Sequence, residues 1–200
     1  MAQPAAFDSL SDHRRHLPMV AAMTFAMMAP LAVPVCRISA VRSRWWRSTP
    51  AVNGAFVGFM LVWLATSAAL HVAVDLAIAA TSRTAVSGGA LVAIAWSLRD
   101  PARRARRLAA CEVSSAVRPD REFLDAAALG IKGATSCVTT CAPLMAVVAV
   151  RPSVAATAVA TAALLSERAL APRFGRTVAG AYLAVALVLS FVPGWDGYPG

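Results

Sequence analysis

Long apolar stretches recur along the chain, and the short segments between them carry most of its charge. A helix that crosses a bilayer needs about 20 largely apolar residues, within a range of ~17–25. The first such stretch, 17–36, is uncharged and ends at Arg37. The second, 50–74, is the longest and stops at Asp75. A third, 85–98, is short and contains Gly88 and Gly89, as a tilted or locally unwound span would. The fourth, 126–150, has Lys132 near its start and Pro143 inside it. The fifth, 152–165, is again short and is bounded by Glu167 and Arg168, and the sixth, 177–192, runs into Pro193 and Gly194. Tilt and local thinning of the bilayer absorb such length mismatch at modest cost. The pattern predicts an all-α, polytopic transmembrane helical bundle of about six spans. No repeat of fixed period and no low-complexity linker divides it, so residues 1–200 read as a single membrane domain.

Composition strengthens this reading. Of the 200 residues, 58% are hydrophobic and 14% charged, against about 25% charged in a soluble domain. The formal charge of +9 would suggest nucleic acid in a soluble protein. Here the basic residues flank apolar runs, which makes them membrane-flanking charge and argues against a nucleic-acid partner. With six spans, 14 Arg fall in the segments of one side and four (Arg14, Arg15, Arg83 and Arg151) on the other. Excess Lys/Arg in short loops marks the cytoplasm, so an inner or plasma membrane location with both termini outside is expected. The dense Arg stretch at 99–121 suits anionic lipid headgroups. Arg14 and Arg15 resemble the charged start of a secretory signal, but the apolar run exceeds ~7–15 residues and four Arg follow it. It reads as a retained first span.

The candidate chemistry is carried by sulfur. Cys137 and Cys141 stand four apart in the fourth span, stacked on one helix face within Thr135-Ser136-Cys137-Val138-Thr139-Thr140-Cys141. Two thiolates on adjacent turns can grip one soft ion, Cu(I) or Zn(II). Simple packing explains such residues equally well, since Cys is a small hydrophobe and Ser/Thr suit helix contacts. Met19, Met23 and Met27 form a stripe at four-residue spacing in the first span, with Met28 beside it. Thioethers also select Cu(I), although a Met stripe is more often adaptable packing. Cys36 ends the first span and Cys111 lies in the Arg-rich loop, and either is a candidate third ligand. The topology places all four Cys toward the reducing side. His13, His16, His71 and Asp75 then fall toward the outer side, with Met19, Met23 and Met27 as a relay between.

Other features read as structural. Lys132 can snorkel, Glu167 and Arg168 suit an interfacial pair, and Gly54 and Gly58 are spaced for close helix contact. There is no P-loop, GxSxG, HExxH or pair of carboxylates within a span, so an enzyme is not expected. A competing reading is a structural or interaction subunit of a membrane complex, without metal, whose Arg-rich face docks lipid or a partner. Thiol redox chemistry at Cys137 and Cys141 ranks behind both.

Three segments together carry a resemblance. They are Met19…Met23…Ala26-Met27-Met28-Ala29-Pro30, Cys137…Cys141-Ala142-Pro143-Leu144-Met145, and Ser166-Glu167-Arg168-Ala169-Leu170-Ala171-Pro172. In this order they resemble a bacterial family of predicted metal-binding integral membrane proteins. Its pattern is a Met-rich first helix, a Cys-rich later helix followed by Leu-Met, and a Glu-Lys-x-x-Pro turn before the last span. The family usually has a further Cys pair after the third helix, where this chain has Trp96-Ser97, Pro101-Ala102-Arg103 and then Cys111 alone. Adjacent cysteines in the family's helix correspond here to Thr140-Cys141. The resemblance implies a metal-binding membrane protein, and with the sulfur ligands the leading reading is a soft, copper-like ion bound for transport or handling.

Overall fold

The computed structural model describes residues 5–43, 48–100, 121–150, 155–167, and positions 180, 184, 185 and 188, with side chains at Pro18 and, Arg83 excepted, from Val20 onward. All regular structure among them is helical: α1 (Ala5–Arg42), α2 (Ser48–Ala80), α3 (Arg83–Leu98), α4 (Glu122–Val150) and α5 (Ala155–Glu167). Gly180, Ala184, Val185 and Val188 are helical as well.

The helices outrun the apolar stretches that predict them. α1 continues through Pro18, Pro30 and Pro34 and on to Arg42, because Arg is a good helix former and the first charged residues need not stop the turn. α4 begins at Glu122, with Glu122 and Asp125 in its first turn, where acidic groups favour the positive end of the helix dipole. α3 is a continuous helix across Gly88 and Gly89, capped by Ser82, whose hydroxyl accepts the Ala85 N–H at 3.2 Å. With Thr81 as the only other residue between α2 and α3, that cap sets a tight helical hairpin.

The span count changes as a result. Three segments are long and apolar enough to cross a membrane: Val20–Arg42, Ser48–Ala80 and Glu122–Val150. Thr84–Leu98 and Ala155–Glu167 are shorter apolar helices. At 1.5 Å per residue they reach only about 20–25 Å, against ~30 Å of hydrocarbon. Six full-length spans are therefore not what the described residues show. Counting apolar runs registers a helix but not whether it is long enough. Most of the expected sixth span, 177–192, lies outside the described residues, as does the Arg-rich segment 101–120 with Cys111.

The bundle is organised around α4. Gly54 on α2 abuts the main-chain carbonyl of Phe123, Gly58 abuts that of Ala127, and Gly130 abuts Ala55 and Phe59. Partner residues advance together on both helices, so α2 and α4 run parallel with their backbones touching. Small residues allow that approach, and the added van der Waals contact holds the pair. α1 runs antiparallel to α2: the Phe25 and Phe56 rings meet edge to face at 5.7 Å, and further along α1 the Cys36 thiol faces the Val52 carbonyl at 3.9 Å. α3 returns against α4 and buries Ile94, while α5 adds Ala156, Ala160 and Leu164 to the same core at four-residue steps. The exterior is apolar too, with Leu61, Leu76, Val92, Trp96 and Leu124 all exposed.

Candidate metal centre

Cys137 and Cys141 lie fifteen residues or more into α4, on the stripe that continues upward from Phe123, Ala127 and Gly130, the residues in contact with α2. Both side chains are buried, and their sulfurs stand 3.4 Å apart. Helical spacing makes them neighbours, and packing takes them out of solvent. Two thiolates bound to one ion at ~2.3 Å with tetrahedral angles sit about 3.8 Å apart, so a small change of rotamer with release of both thiol protons would turn this pair into a chelate.

The polar residues around the pair are mostly satisfied within the helix. The hydroxyls of Thr135, Thr139 and Thr140 donate to the carbonyls of Lys132, Ser136 and Cys137 at 2.8–2.9 Å. Thr140 is buried, and its oxygen also stands 3.6 Å from the Cys141 sulfur. By rotating its proton, that hydroxyl can accept from a thiol or donate to a thiolate.

α2 carries two buried polar atoms with no hydrogen-bond partner, the Trp63 indole N–H and the Ser67 hydroxyl. Four-residue steps from Ala55 and Phe59, which abut Gly130, lead to Trp63 and Ser67. Seven and eleven residues on from Gly130 stand Cys137 and Cys141. At 1.5 Å per residue, Ser67 comes to a height between those of the two cysteines, and Trp63 about 5 Å below Cys137. Buried polar groups are rarely left unpaired, and each costs ~1–3 kcal/mol. Neither unpartnered group is legible in the sequence, because burial of a tryptophan and a serine emerges only with packing.

The other sulfur residues are spread along the bundle. Cys36 is half-buried near Val52, below the level where Gly54 meets Phe123, which puts it about 20 Å along the axis from Cys137. Met27 and Met28 are buried in the core. They lie on α1 between the Phe25 and Cys36 contacts with α2, about 15 Å below the Cys pair. Met23 is half-buried, a turn nearer the pair, and Met19 is nearer still on the α1 backbone, its side chain outside the described residues. The stripe therefore approaches the pair with its amino-terminal end. In this register Met27 lies between that end and Cys36, so the stripe does not descend onto the cysteines. Three buried methionines outside the expected set, Met28, Met60 and Met145, belong to the same core as the pair. Among the described residues no three His, Cys, Asp or Glu gather as a metal cluster.

A family model described as PpoB2, copper chaperone, matches residues 17–192. No curated protein and no solved structure matches the chain.

Proposed function

The chain belongs to the PpoB2 copper chaperone family, and from that premise we propose that it is a multi-pass membrane protein that holds Cu(I) at Cys137 and Cys141 for transfer. The observation that carries the proposal is the buried pair of thiols 3.4 Å apart on one face of α4. Both are soft donors already within reach of a single ion.

The surroundings favour that cargo. A Cu(I) held by two thiolates carries a net negative charge, which is costly in a dry interior unless hydrogen-bond donors face it. The Trp63 N–H and Ser67 hydroxyl on α2, with Thr140 on α4, are donors of the right kind at nearby heights. Cys36, about 20 Å away, serves as a relay point and not as a third ligand of the pair. Met19, Met23 and Met27 form a thioether path along α1 between the level of the pair and Cys36, and Cys111 lies in the loop that receives or releases the ion.

The membrane reading rests on the apolar exterior and the three long apolar helices. With the bilayer thinned locally around the short α3 and α5, and with the segment 177–192, the proposed chain crosses about six times, both termini outside and the Arg-rich face 99–121 against anionic headgroups in the cytoplasm. Trp96 and Arg99 support that side: both are exposed, and the guanidinium stacks 5.4 Å from the ring centroid, as an interfacial anchor would. The chain performs no bond chemistry of its own in this reading.

The test is a competition titration against a colorimetric Cu(I) chelator, with the chain in lipid nanodiscs under reductant. One equivalent of Cu(I) taken by the wild type and lost in Cys137→Ser/Cys141→Ser is the expected result. Equal uptake by both, or none by either, would overturn the proposal in favour of a ligand-free interaction subunit.

A further inference from the structure

Two sulfurs leave a copper ion open to exchange and do little to discriminate it from zinc. Among the described residues no third Cys, His or carboxylate joins the pair. Cu(I) prefers sulfur to the hydroxyl oxygens nearby, so a further soft donor among the described residues is a thioether.

Four buried methionines share the core with the pair: Met27, Met28, Met60 and Met145. Met60 follows Phe59, whose backbone abuts Gly130, so it starts about 9 Å below Cys137. Met27 and Met28 are lower still. Met145 alone stands one turn beyond Cys141 on the same helix.

The row Cys137, Cys141, Met145 repeats every four residues, and all three are buried, at 0%, 2% and 7% exposure. Side chains on a helix tilt toward its amino terminus. Met145 therefore leans back toward Cys141, and Cys141 toward Cys137, as the 3.4 Å sulfur contact already displays. Pro143 falls between Cys141 and Met145 and has no N–H to bond the Thr139 carbonyl. The turn that carries Met145 is thus less tightly tied to the one below and can close on an ion.

We infer that Met145 is the third ligand of the Cys137–Cys141 site, making a centre of two thiolates and one thioether that takes Cu(I) in preference to Zn(II). Thioether sulfur suits Cu(I), whereas Zn(II) seeks four ligands from thiolate, imidazole and carboxylate. The inference rests on the copper reading of the pair and adds its selectivity.

X-ray absorption on selenomethionine-labelled chain in nanodiscs, loaded with one equivalent of Cu(I), tests it. The expected spectrum has one selenium at bonding distance from copper, lost in Met145→Leu and kept in Met60→Leu. Leu conserves volume, so the fold should hold. Cu(I) affinity of Met145→Leu should fall about tenfold or more, with Zn(II) affinity unchanged. Copper bound by sulfur alone in the labelled wild type, or a selenium contact that survives Met145→Leu, would overturn the assignment of Met145 and leave the pair intact. Failure of the wild type to bind copper, or undiminished binding by Cys137→Ser/Cys141→Ser, would instead sink the reading of the pair and Met145 with it.

Discussion

Gly58 on α2 lies directly against the main-chain carbonyl of Ala127 on α4, where even one methyl group would collide with backbone. Neither partner is a flexible side chain that can step aside. Gly58→Ala should therefore destabilise the bundle by about 1–3 kcal/mol, as overpacking of a tight core does. A drop in thermal midpoint in nanodiscs would register it, and an unchanged midpoint would count against the α2–α4 contact.

Gly88 and Gly89 supply the contrast. A Cβ at either position meets nothing within 4 Å. Replacing both with Ala should leave stability unchanged or raise it, since Gly costs ~1 kcal/mol against Ala inside a helix. Thermal unfolding would check this, and a marked loss would mean that the exposed face of α3 is packed after all.

Local relationships were legible in the sequence, and relationships between helices were not. Cys137 and Cys141 are adjacent because four residues make about one helical turn, which spacing alone reveals. The distance from Cys36 to that pair depends on how α1, α2 and α4 slide past one another, set by Gly54, Gly58 and Gly130 finding backbone partners. The glycine spacing announced a close contact without saying which helix would fill it. Met145 was visible as part of a motif, but its burial beside the pair required the packed α4. Helix ends such as Arg42 and Glu122 lay beyond the apolar runs because charged residues can finish a helix that apolar residues begin.

The two thiols should act as a unit. Either Cys137→Ser or Cys141→Ser alone should lower Cu(I) affinity nearly as far as the double substitution, because residues in one site couple strongly. Chelator competition on the three variants measures this, and simple additivity would mean independent sites.

Trp63 offers a test of the surrounding donors. Trp63→Phe removes a buried N–H that has no partner, so the ligand-free protein should lose only the packing of the larger ring. Cu(I) affinity should nonetheless fall, by about tenfold, if the indole faces the charged centre, since hydrogen bonds to charged groups are worth ~1.5–3 kcal/mol. Parallel measurement of thermal midpoint and affinity separates the two effects. Equal copper affinity in Trp63→Phe would remove Trp63 from the site.

Orientation is open to a simple experiment. A reporter active only outside the cytoplasm, fused to the carboxyl terminus, should be active, following the Arg imbalance between the loops. A cytoplasm-only reporter active at the same position would invert the arrangement.

Residence of copper at Cys137 and Cys141 in the living membrane is what the proposed function requires. Its most direct test is the copper-to-protein ratio, by mass spectrometry, of chain isolated anaerobically from copper-fed cells with no metal added. Close to one copper per wild-type chain is expected, with almost none in Cys137→Ser/Cys141→Ser purified alongside. The same ratio in both, whether one or zero, would contradict it.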